Sequence, residues 1–290
     1  MRLRPLGTVR PSVSRLWLVV TLTTLTLLTA CAAPNKAPDA RWVNAGGAGG
    51  GAPMFPSPGG GDDQGGGPSA GPSPSATFAG QHIPKFPPAP PAEPLTVPAG
   101  PSAAWITHIP TTQKVAFLTI DDGWVQLPQG AELFKAAHIP VTLFLSLNAI
   151  RSNPAYFKQF QDNGAVIEAH TLTHPELKGT SYAFQKQQAC GSADQLGQLY
   201  GRRPILFRPP FGDEDATTLK AVHDCGMKAA FFWKETVNNG VVRYQVGHTV
   251  QPGDIILMHF RATFVADFLA ALTAIHDAGL TPALLEDYIA

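Results

Sequence analysis

Two adjacent carboxylates follow an apolar run near the middle of the chain, in the segment FLTIDDGW at 117–124. Neighbouring like charges repel, so Asp121 and Asp122 need a physical reason to stand together at the end of a buried strand. One reading is a capped turn, because Asp-Gly is a common turn dipeptide. The other is a metal ligand beside a catalytic base. Residues elsewhere in the chain decide between these two interpretations.

Two histidines with ligand spacing lie further along, in the segment HTLTHP. His170 and His174 are four residues apart, so both can face one centre from a helical turn. Two imidazoles and one carboxylate make a three-ligand site with positions open to water, as in catalytic zinc. An isolated pair of this spacing is more often two ordinary histidines, so the metal reading depends on an aspartate from a neighbouring strand.

The elements that must position these residues are short apolar runs that alternate with helical patterns. The runs lie at 115–120, 141–145, 165–169, 204–207, 229–233 and 255–258, with a weaker one at 282–286. Buried strands that alternate with helices predict a parallel sheet with crossover helices. Six or seven such units favour an incomplete barrel of the triosephosphate-isomerase type. An open doubly wound sheet is the alternative, although no Gly-rich phosphate loop follows the first run.

Polar or aromatic side chains directly follow nearly every one of these runs. In a parallel barrel, reactive residues collect at the carboxyl ends of the strands. The residues in that position are Asp121, Asp122, His170, His174, Arg208, Trp233, Glu235 and His259. We therefore predict that they form one cluster.

Four segments together resemble motifs of a known family. TIDDG, HTLTHP, RPPFG and LMH lie between Thr119 and His259. They resemble, in order, four of the five motifs of the polysaccharide deacetylases, the NodB-homology domains of carbohydrate esterase family 4. The resemblance implies a distorted (β/α)7 TIM-like barrel. It also implies metal-dependent removal of acetyl groups from a polysaccharide.

The resemblance also assigns a role to each matching residue. It makes Asp121 the general base and Arg208 the residue that orients it, and it makes His259 the general acid. The backbone N–H of Phe211 would hold the oxyanion. The metal ligands would be Asp122, His170 and His174. Zinc suits two nitrogen donors and one oxygen donor, and cobalt or nickel would fit the same set.

One family motif, Asp-x-x-Asp-Trp, is altered in this chain, which reads FFWKETVNNG. Glu235 can be placed on the first aspartate, and Asn238 and Asn239 fall where Asp-Trp would be. The lost carboxylate predicts a lower pKa for His259, because a nearby anion favours imidazolium. The lost tryptophan leaves sugar stacking to other aromatic residues.

The candidates for sugar stacking are Trp124 and Trp233, and Phe211 replaces the usual tyrosine of the arginine motif. The altered motif also supports an alternative function, a wall-binding lipoprotein with the deacetylase fold and little or no activity. A third reading is a related hydrolase of the carbon–nitrogen bond of a small amide.

The N-terminus predicts export and anchoring. Residues 1–30 hold several arginines and then an apolar run that is short for a membrane span of about 20 residues. The run ends in LTAC at 28–31, which resembles the lipobox of bacterial lipoproteins, in which Cys31 would receive the lipid. An ordinary secretory peptide or a retained anchor are the alternatives. We expect a lipid-anchored protein outside the cytoplasm that faces the cell wall.

Composition predicts a tether at 31–103 and one catalytic domain at 104–290. Residues 32–103 hold 14 Gly and 16 Pro, too many for a packed core. A Gly-rich adhesive segment is the alternative to a tether. Of 21 basic and 21 acidic residues, seven and four precede residue 104, so the domain has 14 basic and 17 acidic residues and a net charge of −3. That balance does not favour nucleic acid.

Two cysteines remain if Cys31 carries lipid. In an exported protein, Cys190 and Cys225 permit a disulfide, and two buried thiols are the alternative. We expect a monomer whose partners are an acetylated polysaccharide and, through the lipid, the membrane.

Overall fold

The computed structural model describes residues 77–78 and 80–290. The predicted signal segment, Cys31 and most of the predicted tether lie outside the described residues. The strands of the described part are β1 Thr77–Phe78, β2 Gln81–His82, β3 Ala104–Ile106, β4 Val115–Asp122, β5 Val141–Leu145, β6 Ala165–Ala169, β7 Leu206–Phe207, β8 Ala229–Phe231, β9 Glu235–Asn238, β10 Val241–Tyr244, β11 Ile255–His259 and β12 Thr281–Pro282. The helices are α1 Pro128–Ala137, α2 Leu147–Ile150, α3 Pro154–Gln161, α4 Tyr182–Tyr200, α5 Ala216–Asp224 and α6 Phe264–Asp277, with 3-10 turns at Pro210–Gly212 and Glu286–Tyr288.

One sheet organises the domain, in the order β10-β9-β11-β4-β5-β6-β7-β8-β3, and β12 adds to β4. All neighbours along this path are parallel except β10, which pairs antiparallel with β9. Within the described residues, β10 and β3 do not pair with each other, so the barrel stays incomplete. This confirms the predicted distorted α/β barrel.

The sheet contains strands that the apolar runs did not predict. The hairpin of β9 and β10 follows β8 with no intervening helix, and β3 adds to the far side of β8. Of the weak last run at 282–286, only Pro282 lies in a strand, β12. These strands are short and only partly buried, so they lack the continuous apolar signature of a central parallel strand.

The core on one side of the sheet is largely aromatic. Phe134 of α1, Phe160 of α3 and Phe264 and Phe268 of α6 are almost fully buried, and Phe260, just after β11, packs among them. Because aromatic side chains bury large areas, this cluster fixes the helices against the strands that carry the polar cluster. No helix in the described part of the chain combines the length and apolar character required to cross a membrane.

Cys190 and Cys225 form a disulfide, as predicted. Cys190 lies in α4, and Cys225 directly follows α5, so the bond joins these two helices.

The segment at 80–103, the N-terminal strap, packs on the domain. Ile83 is 2% exposed, and Leu95 pairs with the C-terminal residues through bonds to Tyr288 and Ala290. Phe86 meets the ring of His276 edge-on at 6.1 Å. The predicted boundary at residue 104 is therefore too late. Composition favoured a tether here, but a few apolar residues among the prolines bury enough surface to hold the strap in place.

We expect Ile83→Ala in the full chain to lower the free energy of unfolding by about 2–4 kcal/mol, because the change leaves a cavity under the strap. Gln81→Ala is the control, since Gln81 is exposed two residues earlier. Chemical denaturation measures both. An Ile83→Ala variant as stable as the Gln81→Ala variant would show that the strap contributes nothing to the domain.

Candidate active site

Asp121 and Asp122 end β4, and their side chains diverge. Asp121 is 2% exposed and lies on the regular part of the strand. Asp122 has a φ of 76°, so the chain leaves the strand geometry at this residue. Gly123 follows with a φ of 115°, and a Cβ there would lie 2.5 Å from Ile150. The turn residue is therefore required to be glycine.

Asp122, His170 and His174 bring three ligand atoms to within 4.8 Å of one another. Nε2 of His174 lies 3.1 Å, and Nε2 of His170 3.4 Å, from Oδ1 of Asp122. That oxygen is buried and has no hydrogen-bond partner of acceptable geometry in the described structure. Three donors that point at a common space, without bonding each other, fit a divalent cation.

The charge of Asp122 suits this use. Burial raises the pKa of this carboxyl, but the neighbouring imidazoles of His170 and His174 outweigh burial and hold the pKa well below its usual range. The carboxyl is therefore ionised at any physiological pH, which a metal ligand requires.

Hydrogen bonds around the histidines fix their orientation. Nδ1 of His170 donates to the backbone carbonyl of Arg208 at 2.7 Å, which leaves the lone pair of Nε2 for the cation. The turn that carries His174 is held from α4, where Oε1 of Gln188 accepts from the backbone N–H of Leu172 and Thr173 at 3.1 and 3.0 Å. Both partners orient the imidazoles and would not themselves contact a cation held between them.

Arg208 is fully buried and engages Asp121. Its Nη1 donates to Oδ1 of Asp121 and to Oγ1 of Thr119, each at 2.7 Å, and its Nη2 donates to the carbonyl of Phe232. The other oxygen of Asp121, Oδ2, lies 3.9 Å from Nε2 of His170. Asp121 thus has one oxygen on the arginine and the other beside the ligand group, which suits a base and not a primary ligand.

His259 ends β11 and lies level with Asp121 in the parallel register. Burial lowers the pKa of His259 to about 4, with Asp121 and Asp122 raising it and Arg261 lowering it further. Its Nδ1 is buried and has no hydrogen-bond partner among the described residues. The direction of this shift is the one that the altered motif predicts, but burial is its main cause.

Glu235 and Asn238, which belong to the altered motif, lie at different positions along the strand direction. Glu235 pairs with Ile256, three residues before His259, so it is about 10 Å from the level of His259. Burial and the neighbouring Asp254 raise the pKa of Glu235 to about 9. Glu235 therefore lies nearer the amino ends of the parallel strands than His259 does, and it is outside the polar cluster. Asn238, at the end of β9, accepts a hydrogen bond from Arg261 at 3.2 Å.

The three predicted aromatic residues differ in exposure. Trp124 is 54% and Phe211 62% exposed, and the Phe211 ring packs edge-on against His174 at 4.9 Å. Trp233 is half-buried and stacks on Phe232 at 4.1 Å. Trp124 and Phe211 thus keep much of their surface free for a ligand, whereas one face of Trp233 is already covered.

Backbone strain concentrates around this site. Of the six non-glycine residues with positive φ in the described structure, four are here: Asp122, Thr171, His174 and Phe211. Each such conformation costs on the order of 1–3 kcal/mol unless the surroundings hold it, and strain of this kind is typical of functional sites.

Gln188 and Arg261 are not among the site residues predicted from the sequence. Gln188 is a buried amide on α4, but Lys186 and Gln187 directly before it are polar too, so the sequence carries no signal that sets it apart. Arg261 follows the LMH segment by two residues, and its importance depends on the unpredicted hairpin of β9 and β10.

Comparisons with known proteins agree with this geometry. The polysaccharide deacetylase family model matches residues 108–230. A protein of Streptomyces coelicolor without an assigned function is 36% identical over 192 residues, 63% of this chain and 76% of its own length. The peptidoglycan-N-acetylmuramic acid deacetylase PdaA of Bacillus subtilis is 27% identical over 191 residues, 61% of this chain and 72% of its own.

The same fold occurs in a solved structure of a Bacillus anthracis protein that is described as a carbohydrate esterase family 4 pseudoenzyme. The TM-score is 0.56 at 20% identity, and the match covers 64% of this chain and 69% of the other chain. This likeness establishes the fold and not the activity. With the family model, the curated relatives and the fold in agreement, the chain belongs to the polysaccharide deacetylase family, carbohydrate esterase family 4.

Proposed function

We propose that the protein is a metal-dependent hydrolase that removes acetyl groups from an amino-sugar polysaccharide outside the cytoplasm. The observation that carries the proposal is the convergence of Asp122, His170 and His174 beside a second carboxylate, Asp121, that Arg208 keeps in place. Two nitrogens and one oxygen suit zinc, with cobalt or nickel as alternatives. A bound cation would polarise the acetyl carbonyl and make water more acidic.

The protein's own residues supply the proton transfers. Asp121 accepts a proton from the water that attacks the acetyl carbon, and Arg208 keeps its carboxylate oriented. The backbone N–H of Phe211 is the proposed donor to the developing oxyanion. His259, level with Asp121 on the neighbouring strand, gives a proton to the departing amine. Trp124 is the proposed surface for a sugar ring, since its indole is exposed at the same end of the sheet.

Peptidoglycan is the proposed polymer. The likeness to PdaA supports it, and so does the predicted anchor at Cys31, because an anchored enzyme on a tether reaches the wall. Chitin-like oligosaccharides and acetylated xylan are the alternatives. We further propose that the protein is a monomer, lipid-anchored to the cell membrane and facing the wall.

A second candidate function is wall binding with little or no turnover. It is favoured by the unpartnered Nδ1 of His259 and by Asn238 in place of a carboxylate. The intact set of Asp121, Arg208 and His259 opposes it, because a pure binding protein has no use for an acid and a base beside a metal site.

We expect the purified protein with zinc to release acetate from N-acetylglucosamine oligomers or from peptidoglycan glycan strands. A chelator should abolish release, and added zinc should restore it. Acetylated xylan and a small acetamide serve as comparison substrates, since preference for the small amide would support the third reading. A protein that binds polymer and metal and yields no acetate from any of these would be the binding lipoprotein.

Substitutions should distinguish the role of Asp121 from that of Asp122. Asp122→Ala and His174→Ala should lose both bound metal and activity, because each removes a ligand. Asp121→Asn should keep the metal and lose activity by at least about 10²-fold, because an amide cannot accept the proton. Elemental analysis and acetate release measure the two effects. If Asp121→Asn lost as much metal as Asp122→Ala, the assignment of Asp121 as the base and Asp122 as the ligand would be wrong.

We expect Asn238→Asp to raise the pKa of His259, because an anion at this position favours imidazolium. If His259 acts as the acid, the alkaline limb of the pH–rate profile should move upward by about 1 pH unit. Asn239→Asp is the matched control, with the same charge change on an exposed turn residue. Identical profiles for the two variants would remove His259 from the acid role.

A further inference from the structure

The loop after β11 sends three consecutive side chains in three directions. His259 faces the site, and Phe260 is 1% exposed in the aromatic core, with ring centroids 5.1 Å from Phe157 and 5.2 Å from Phe264. Arg261 is exposed. Because Phe260 fixes the backbone between them, Arg261 has a defined position at the rim, with its Cα no more than about 7 Å from that of the acid histidine.

The charge of Arg261 is not neutralised. Its Nη1 donates to Oδ1 of Asn238, a neutral amide, at 3.2 Å. No carboxylate in the described structure lies within ion-pair distance of it, whereas Arg202, Arg203 and Arg208 each pair with one. A single neutral contact leaves most of the guanidinium donors available to a ligand.

The amide that orients Arg261 is itself held in place. Asn238 ends β9, and the turn after it is bound to α6, where the buried Asp267 accepts from the backbone N–H of Gly240 at 2.7 Å. The other oxygen of Asp267 accepts from Oγ1 of Thr263 at 2.8 Å. The hairpin therefore presents Asn238 at a fixed place beside the rim.

An exposed indole lies on the adjoining loop. The backbone N–H of Val125 donates to the carbonyl of Phe260 at 3.2 Å, which joins the loop after β4 to the loop that carries Arg261. Trp124 directly precedes Val125 and is 54% exposed. A surface for the apolar face of a sugar ring thus lies near a fixed, unneutralised cation on the His259 side of the site.

We propose that Arg261 is a specificity residue that binds a carboxylate on the substrate sugar, so that the enzyme prefers an N-acetyl amino sugar bearing an acidic side group to its neutral counterpart. The inference rests on the proposed deacetylase function. The planar guanidinium matches a carboxylate with two parallel hydrogen bonds. In a sugar of the muramic acid type the acidic group is on the ring carbon next to the acetamido carbon, which suits the short separation of His259 and Arg261.

The test compares two substrates that differ only in charge, peptide-free glycan strands containing N-acetylmuramic acid and the same strands with the carboxylates methyl-esterified. For the wild type we expect kcat/KM to favour the acidic strands, mainly through KM. Arg261→Gln should reduce the acidic-to-ester ratio about tenfold, and Arg261→Lys should reduce it less. The ratio cancels any effect of the substitution on His259, since that step is common to both substrates.

Arg243→Gln is the matched control, because Arg243 is an exposed arginine on β10, one strand further from His259. Its ratio should equal that of the wild type. A ratio unchanged in Arg261→Gln would overturn the inference. If the wild type releases no acetate from either substrate, the proposed function fails, and calorimetric binding of the two strands to wild type and Arg261→Gln then decides the inference. Equal affinities for acid and ester in the wild type would overturn it.

Discussion

The buried guanidinium of Arg208 is the constraint on which the site depends. A charge removed from water is costly unless it is paired, and Arg208 finds its partners on two strands or their ends: Asp121 and Thr119 of β4, and the carbonyl of Phe232 after β8. Its own carbonyl accepts from His170. One residue therefore positions the proposed base with its side chain and a proposed ligand with its backbone.

The rest of the fold serves to keep strained turns at the carboxyl ends of these strands. Asp122, His174 and Phe211 hold positive φ values that an isolated peptide would rarely adopt. Gln188 of α4 holds the histidine turn, and the disulfide at Cys190, two residues on, joins the same helix to α5. Helix packing and side-chain hydrogen bonds together stabilise a local geometry that backbone preference alone opposes.

The acid side of the site is where this chain departs from its family pattern. An amide at Asn238 does not stabilise an imidazolium, and it leaves the nearby Arg261 without a neutralising anion. Burial lowers the pKa of His259, and the exchange to Asn238 leaves an unneutralised cation at the rim. The missing carboxylate at Asn238 favours the alternative of a binding protein with little activity. The same absence leaves Arg261 available for the proposed contact with an acidic substrate.

The apolar runs and the four motifs determined the barrel class and predicted the cluster at the strand ends, because burial and ligand chemistry restrict residue types at those positions. The candidate residues of that cluster are Asp121, Asp122, His170, His174, Arg208 and His259. Tertiary structure decided what depends on register and on distant partners. It placed Glu235 about 10 Å below His259, brought Arg261 to Asn238, and packed the strap at 80–103, where proline-rich composition had predicted a tether. Such pairings join residues far apart in the chain, so no local pattern of residues encodes them.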